Sequence, residues 1–116
     1  MVSFVEVAKV TELEDGTMRK VMVSGHEVLL AKVGESYYAA NNRCPHMSGD
    51  LSRGKLEGTV VTCPRHSSQF DLKDGSVVRW LKGSGVLSKI GTALKSPRPL
   101  TTYRVSVEGD AVFVEI

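Results

Sequence analysis

The sequence predicts an all-β protein, an antiparallel sandwich or barrel, on three observations. Turn signals recur along the 116 residues. The runs between them are short and rich in Val, Tyr, Phe and Thr. Several of those runs alternate apolar and polar side chains, as in Tyr103-Arg104-Val105-Ser106-Val107, the pattern of a strand with one face buried. Many short strands at this spacing fold as sandwiches or barrels.

The elements follow in order. Phe4–Val7 is the first expected strand. Glu14-Asp15-Gly16 turns the chain into Thr17–Val23, Ser24-Gly25 turns it into Glu27–Lys32, and Val33-Gly34 leads to Tyr37–Ala40. Glu57-Gly58 precedes Thr59–Thr62, Asp74-Gly75 precedes Ser76–Val78, and Glu108-Gly109-Asp110 joins Thr102–Val107 to Ala111–Ile116. Glycine in these places supplies the positive φ of tight hairpin turns. One stretch, 81–99, lacks this grammar. Val86, Leu87, Ile90 and Leu94 recur there at roughly helical spacing, Gly91 weakens a helix, and Pro97 ends one. A loop with one or two helical turns is expected.

Composition bounds the class. Apolar residues make up 41% and charged residues 24%, ordinary for a globular chain and unlike disorder. The length predicts one domain, 1–116. No apolar run approaches the ~18 residues of a membrane helix, and Met1 to Glu6 does not read as a signal peptide. Two cysteines do not make a disulfide scaffold. The expectation is a soluble, cytoplasmic protein. The net charge of +2 conceals a division. Residues 1–42 and 99–116 are each net −2, whereas 43–98 is net +6. Arg43, Arg53, Lys55 and Arg65 stand in this basic middle, opposed only by Asp50. Arg79, Lys82, Lys89, Lys95 and Arg98 follow without an intervening acid. Basic surface attracts acidic proteins, nucleic acid or anionic membranes. Sparse aromatics and a pI near 8.6 disfavour nucleic acid, so an acidic protein partner is expected.

The informative residues are Cys44, His46, Cys63 and His66. They lie in Arg43-Cys44-Pro45-His46 and Thr62-Cys63-Pro64-Arg65-His66, each placed after an expected strand. The spacing is Cys-x-His, sixteen residues, Cys-x-x-His. Both cysteines and two of the three histidines of the protein are used. Two loops at one end of a β domain can thus bring thiolates and imidazoles together, and these are ligands for iron and zinc. Pro45 and Pro64 fix φ and stiffen the loops, and are expected to shield the metal. Three readings stand at this point. One is two buried cysteines with two surface histidines. Another is a structural Cys₂His₂ zinc site, although such sites pair like ligands with like. The last is a [2Fe–2S] cluster with two Cys on one iron and two His on the other.

These two motifs resemble the signature of Rieske iron–sulfur proteins, Cys-x-His followed at a similar interval by Cys-x-x-His. The resemblance spans roughly 1–80 and 99–116. It implies a sandwich-like fold with a cluster-binding subdomain, here about 41–71, and a basic inserted loop at about 81–99. It implies one [2Fe–2S] cluster per chain, with Cys44 and Cys63 on the inner iron and His46 and His66 on the outer one. Rieske proteins of respiratory and photosynthetic complexes add two cysteines that tie the loops; Gly49 and Arg65 occupy those places here. They also carry a membrane anchor, and ring-hydroxylating oxygenases carry a further iron domain, neither of which is legible in this chain. The resemblance therefore points to a small ferredoxin. Such a protein is not itself an enzyme. It passes single electrons from a flavin- or nicotinamide-linked reductase to an oxygenase or similar acceptor. A redox-sensing module, or a small subunit of a reductase complex such as nitrite reductase, is the alternative.

The same resemblance places Ser68 and Phe70 around the cluster, where the high-potential class has a Ser and a Tyr donor. Ser68 can donate and Phe70 cannot, so a potential low in the range of about −150 to +300 mV is expected. Reduction adds negative charge, so the ligand histidines should hold protons more tightly and the potential should depend on pH in alkaline solution. Ser48, Gly49, Ser67 and Ser68 are candidate donors to sulfur. Met47 is expected to pack over the loop, Trp80 to be a core or lid residue, and His26 to be a surface histidine in a hairpin turn.

Overall fold

Val28, Leu29, Leu30 and Ala31 form an unbroken apolar run, and all four are fully buried. A strand buried on one face alternates; an unbroken run is a strand covered on both. The computed structural model, which describes residues 4–45, 49–65, 67–79 and 98–116, gives the reason. Leu29 and Ala31 enter one apolar core, and Val28 and Leu30 enter another. This strand belongs to a central layer with a sheet on either side.

The elements are β1 (Phe4–Lys9), β2 (Thr17–Val23), β3 (His26–Val33), β4 (Ser36–Asn41), a 3₁₀ turn (Leu51–Arg53), β5 (Lys55–Glu57), β6 (Val60–Thr62), β7 (Gln69–Asp71), β8 (Val77–Arg79), β9 (Thr102–Tyr103), β10 (Val105–Glu108) and β11 (Ala111–Glu115). Among the described residues they form three sheets, β1-β11-β10, β2-β3-β4-β9 and β5-β6-β7-β8. Every pairing is antiparallel. No α-helix occurs among the described residues, and no helix is long and apolar enough to cross a membrane.

The first sheet closes on the central one through Ala8, Val112 and Val114 against Val23, Val28, Leu30 and Ala39. The third closes on its other face through Val61, Phe70 and Leu72 against Leu29, Ala31 and Ala40. The all-β expectation holds. The expected strands recur within one or two residues at most boundaries. Thr102–Val107 is instead two strands broken at Arg104. Lys55–Glu57 and Gln69–Asp71 are strands that propensity alone did not indicate. Both are short and polar at their ends, and each is fixed by pairing with β6. The Ser24-Gly25 turn has φ of 48° and 82°. Positive φ at both residues is the two-residue hairpin geometry that matches strand twist. His26 follows it, exposed. Trp80 and the stretch 81–97, with its expected helical turns and its lysines, lie outside the described residues; Arg98 and Pro99 are exposed.

Candidate metal centre

The central and third sheets each emit one loop at the same end of the molecule. The first, loop 1 (43–50), leaves β4. The second, loop 2 (63–68), joins β6 to β7. Cys44 and Cys63 stand at the roots of these loops, each 2% exposed. They share one apolar cluster with Leu51, Val61 and Phe70, and neither forms a disulfide.

Loop 1 is closed by backbone bonds across its ends and by side chains that brace them. Asn42 is fully buried and its polar groups are all engaged. Its backbone N–H donates to the Glu27 carbonyl at 3.0 Å, and its own carbonyl accepts from Leu51 at 2.9 Å. Its side-chain oxygen accepts from the Ser52 N–H at 2.9 Å, and its Nδ2 donates to Asp50 Oδ1 at 2.8 Å. Asp50 also accepts from the Ser52 N–H and hydroxyl, capping the 3₁₀ turn. Arg43 bridges to Asp50 through the backbone. Its guanidinium forks onto Glu27, Nε at 2.6 Å and Nη2 at 2.9 Å. Lys20 Nζ lies 3.5 Å from Glu27 and 3.8 Å from Asp50. The Arg43 hydrogen bond holds the Glu27 carboxyl below its ordinary pKa. Burial pushes Asp50 up, but the Ser52 and Asn42 hydrogen bonds and the Lys20 charge together take it below its ordinary value.

Loop 2 is closed by its backbone. The Cys63 N–H donates to the Ser68 carbonyl at 2.8 Å, and the Ser67 N–H donates back to the Cys63 carbonyl at 3.0 Å. Ser67 has a φ of 61°, a left-handed conformation that costs a non-glycine residue energy. One side chain braces it: Arg79 donates Nε and Nη2 to the Ser67 carbonyl at 3.1 and 3.0 Å. Ser68 and Phe70 are fully buried. Pro45 is half-buried, and Pro64 is exposed.

The loops meet at Gly49. Its carbonyl accepts from the Cys44 N–H at 2.9 Å. A Cβ on Gly49 would fall 2.7 Å from Cys63 Sγ and 3.1 Å from the Arg65 side chain. The backbone of loop 1 therefore lies against the sulfur of loop 2, which only glycine permits. Two buried thiols without a disulfide, set across such a contact, suit a sulfur-bridged inorganic cluster. His46, Met47, Ser48 and His66 lie outside the described residues. Among the described residues no group of three His, Cys, Asp or Glu converges as metal ligands.

Several features of this site are not legible as motifs. The basic rim is opposed by more than Asp50, because Glu27 arrives from β3 and neutralises Arg43. The Asn42 clamp and the Arg79 brace are likewise long-range pairings. Asn42 had one local signal, a turn-forming residue at the end of a strand.

A β protein whose two Cys-Pro loops meet through Gly49 and Cys63 suits an iron–sulfur protein. The chain matches the Rieske [2Fe-2S] domain over residues 3–89, and it belongs to that family. The 3-phenylpropionate/cinnamic acid dioxygenase ferredoxin subunit of Escherichia coli strain K12 is 36% identical over 90 residues, covering 77% of this chain and 72% of the relative. The ferredoxin of carbazole 1,9a-dioxygenase from Nocardioides aromaticivorans IC177 superposes with a TM-score of 0.80 at 27% identity, covering 97% and 96% of the two chains. A complex of reduced oxygenase and oxidized ferredoxin in carbazole 1,9a-dioxygenase contains a chain matched with a TM-score of 0.77 at 27% identity, covering 96% and 91%. The cofactor of this family is a [2Fe–2S] cluster.

Proposed function

We propose that this chain is the ferredoxin component of an oxygenase system. It takes one electron at a time from a flavin- or nicotinamide-linked reductase and passes it to a terminal oxygenase, and it catalyses no reaction alone. Cys44 and Cys63 hold the inner iron of the cluster, and His46 and His66 hold the outer one. Residues 41–71 form the cluster-binding subdomain of a single soluble domain working in the cytoplasm. When bound, the cluster supplies a reversible one-electron couple. The chain's own residues set its surroundings. Phe70 and Leu51 keep water from the cysteine side, Pro45 and Pro64 stiffen the two loops, and Ser68 provides a hydroxyl donor.

The observation that carries this reading is the contact of Gly49 with Cys63 Sγ. It joins the two Cys-Pro loops into one site, whereas an accidental pair of motifs would leave them apart. The relatives named as ferredoxins of dioxygenases support the partner class.

The test is electron paramagnetic resonance of the purified protein before and after dithionite, with iron and acid-labile sulfide counted on the same sample. The expected result is a silent oxidised state, a reduced signal with the lowered average g of histidine ligation, and two irons per chain, as a [2Fe–2S] cluster requires. One zinc per chain and no signal would replace the carrier with a metal-clipped β domain.

A further inference from the structure

The third sheet carries a row of polar side chains beside loop 2. Lys55 pairs with Thr62, Thr62 with Gln69, and Gln69 with Arg79. Directly paired residues of an antiparallel sheet project to one face. All four line one groove of about 390 Å³, together with Arg53, Cys63, Pro64 and Ser67. The row crosses three strand spacings, about 14 Å, with a cation at each end. Its middle is neutral, where Gln69 donates to the Thr62 hydroxyl at 3.1 Å. Arg53 adds a third cation at the rim. Its side chain is 83% exposed, with Asp50 3.8 Å away. Glu57 is the one carboxylate among the lining residues.

This groove is part of the loop rather than a neighbour of it. Thr62 precedes Cys63 directly, and Gln69 follows Ser68. Arg79 serves both, since it borders the groove and holds the Ser67 carbonyl. Three cations around a polar floor, walled by a ligand-bearing loop, fit a partner that presents carboxylates. An apolar partner would bury Lys55 and Arg53 without compensation.

We infer that the groove bounded by Arg53, Lys55 and Arg79 is the docking surface for an acidic redox protein, meeting the cluster on its Cys63–Pro64 side. The inference rests on the electron-carrier reading and adds the surface and the charge of the partner to it. Docking positions one electron to leave the reduced cluster and enter the partner's oxidised centre, with no bond formed or broken. Rim charges of this kind act on the encounter rate and its salt dependence.

The test uses the cluster-loaded protein and a gold electrode bearing a carboxylate-terminated thiol monolayer as the acidic surface. Wild type should give a reversible one-electron wave that weakens as salt rises. The double variant Arg53→Glu with Lys55→Glu should lose about tenfold in transfer rate there. Its solution potential and its reduced resonance signal should stay as in wild type. Lys32→Glu with Lys73→Glu makes the same change in net charge at the strand ends remote from the two loops, and should keep the wild-type rate. An unchanged rate in the groove variant overturns the inference, and so does an equal fall in the remote one, which would read net charge alone. A wild-type protein with no dithionite-dependent signal and no wave would sink the carrier reading itself, a different failure from either of these.

Discussion

Loop 1 and loop 2 carry matching Cys-Pro motifs, yet they are fastened by different means. Loop 1 is tied at its roots by side chains from three directions: Asn42 across to Asp50 and Ser52, Arg43 onto Glu27, and Lys20 between the two carboxylates. Loop 2 closes on its own backbone through Cys63 and Ser68, with Arg79 bracing the strained Ser67. The difference follows from where each loop starts. Loop 2 bridges two adjacent strands, so ladder hydrogen bonds continue into it. Loop 1 leaves the central sheet and enters the third, so the backbone bonds across its ends, Leu51 to Asn42, Arg43 with Asp50 and Cys44 to Gly49, belong to no sheet, and side chains from β2 and β3 brace them.

The strongest way to break this arrangement is at the point where the loops touch. Gly49→Ala places a Cβ 2.7 Å from Cys63 Sγ, closer than such atoms approach, and the sulfur is held by its own loop. Loop 1 must therefore move off the site. The expected outcome is several-fold less iron per folded chain, measured together with circular dichroism to confirm that the sheets remain. Full iron content would mean that the loops tolerate a wider separation than their contact implies.

Next in size is the contrast between the two fastenings. Asn42→Ala removes two side-chain hydrogen bonds made by a fully buried residue, one with the Ser52 N–H and one with the Asp50 carboxylate, a loss of about 1–3 kcal/mol. Arg79→Gln removes a brace from a half-exposed carbonyl and should cost about 1 kcal/mol. Urea unfolding of the two variants measures both. Equal losses would remove the distinction drawn between the loops.

Much of this was legible in the sequence, and the remainder divides along a physical line. The turns were legible because a glycine after Ser24 or Glu57 encodes backbone geometry locally. The meeting of Cys44 and Cys63 in one apolar cluster was legible because the two Cys-Pro motifs recur at matched places after strands. The strands Lys55–Glu57 and Gln69–Asp71 were not, since they hold few β-branched residues and owe their form to pairing with β6. Glu27 gave no sign of its role either. It lies sixteen residues before Arg43 and reaches it only because β3 and β4 pair with Val28 opposite Asn41. Patterns read along the chain capture what neighbours dictate, and miss what the sheet register brings together.

A smaller effect separates hydroxyl donation from simple burial. Ser68 is fully buried beside Cys63. If its hydroxyl donates to a cluster sulfur, it favours the more negative reduced state and raises the potential. Ser68→Ala should then lower the potential by an amount equivalent to about 1 kcal/mol, some tens of millivolts for one electron. Potentiometric titration of both proteins reads this directly. An unchanged potential with the cluster intact would leave Ser68 as a space-filling residue.

The smallest effect is on pH, and it asks whether the loop 1 clamp works through charge or through shape. Asp50 has a folded pKa below its ordinary value of 3.8, and Glu27 below its ordinary 4.5. A carboxyl with a lowered folded pKa stabilises the fold fully above its unfolded value, and that contribution is lost as pH falls through the folded one. Asp50→Asn keeps an oxygen that can accept from Ser52 but loses the charge facing Lys20. At neutral pH the variant should melt a few degrees lower than wild type. The gap should hold down to about pH 4, then close as Asp50 itself takes up a proton in the wild type. A gap that stays constant into stronger acid would show that Asp50 holds loop 1 by the shape of its hydrogen bonds. The Lys20 charge would then contribute nothing measurable, in keeping with the modest worth of exposed ion pairs.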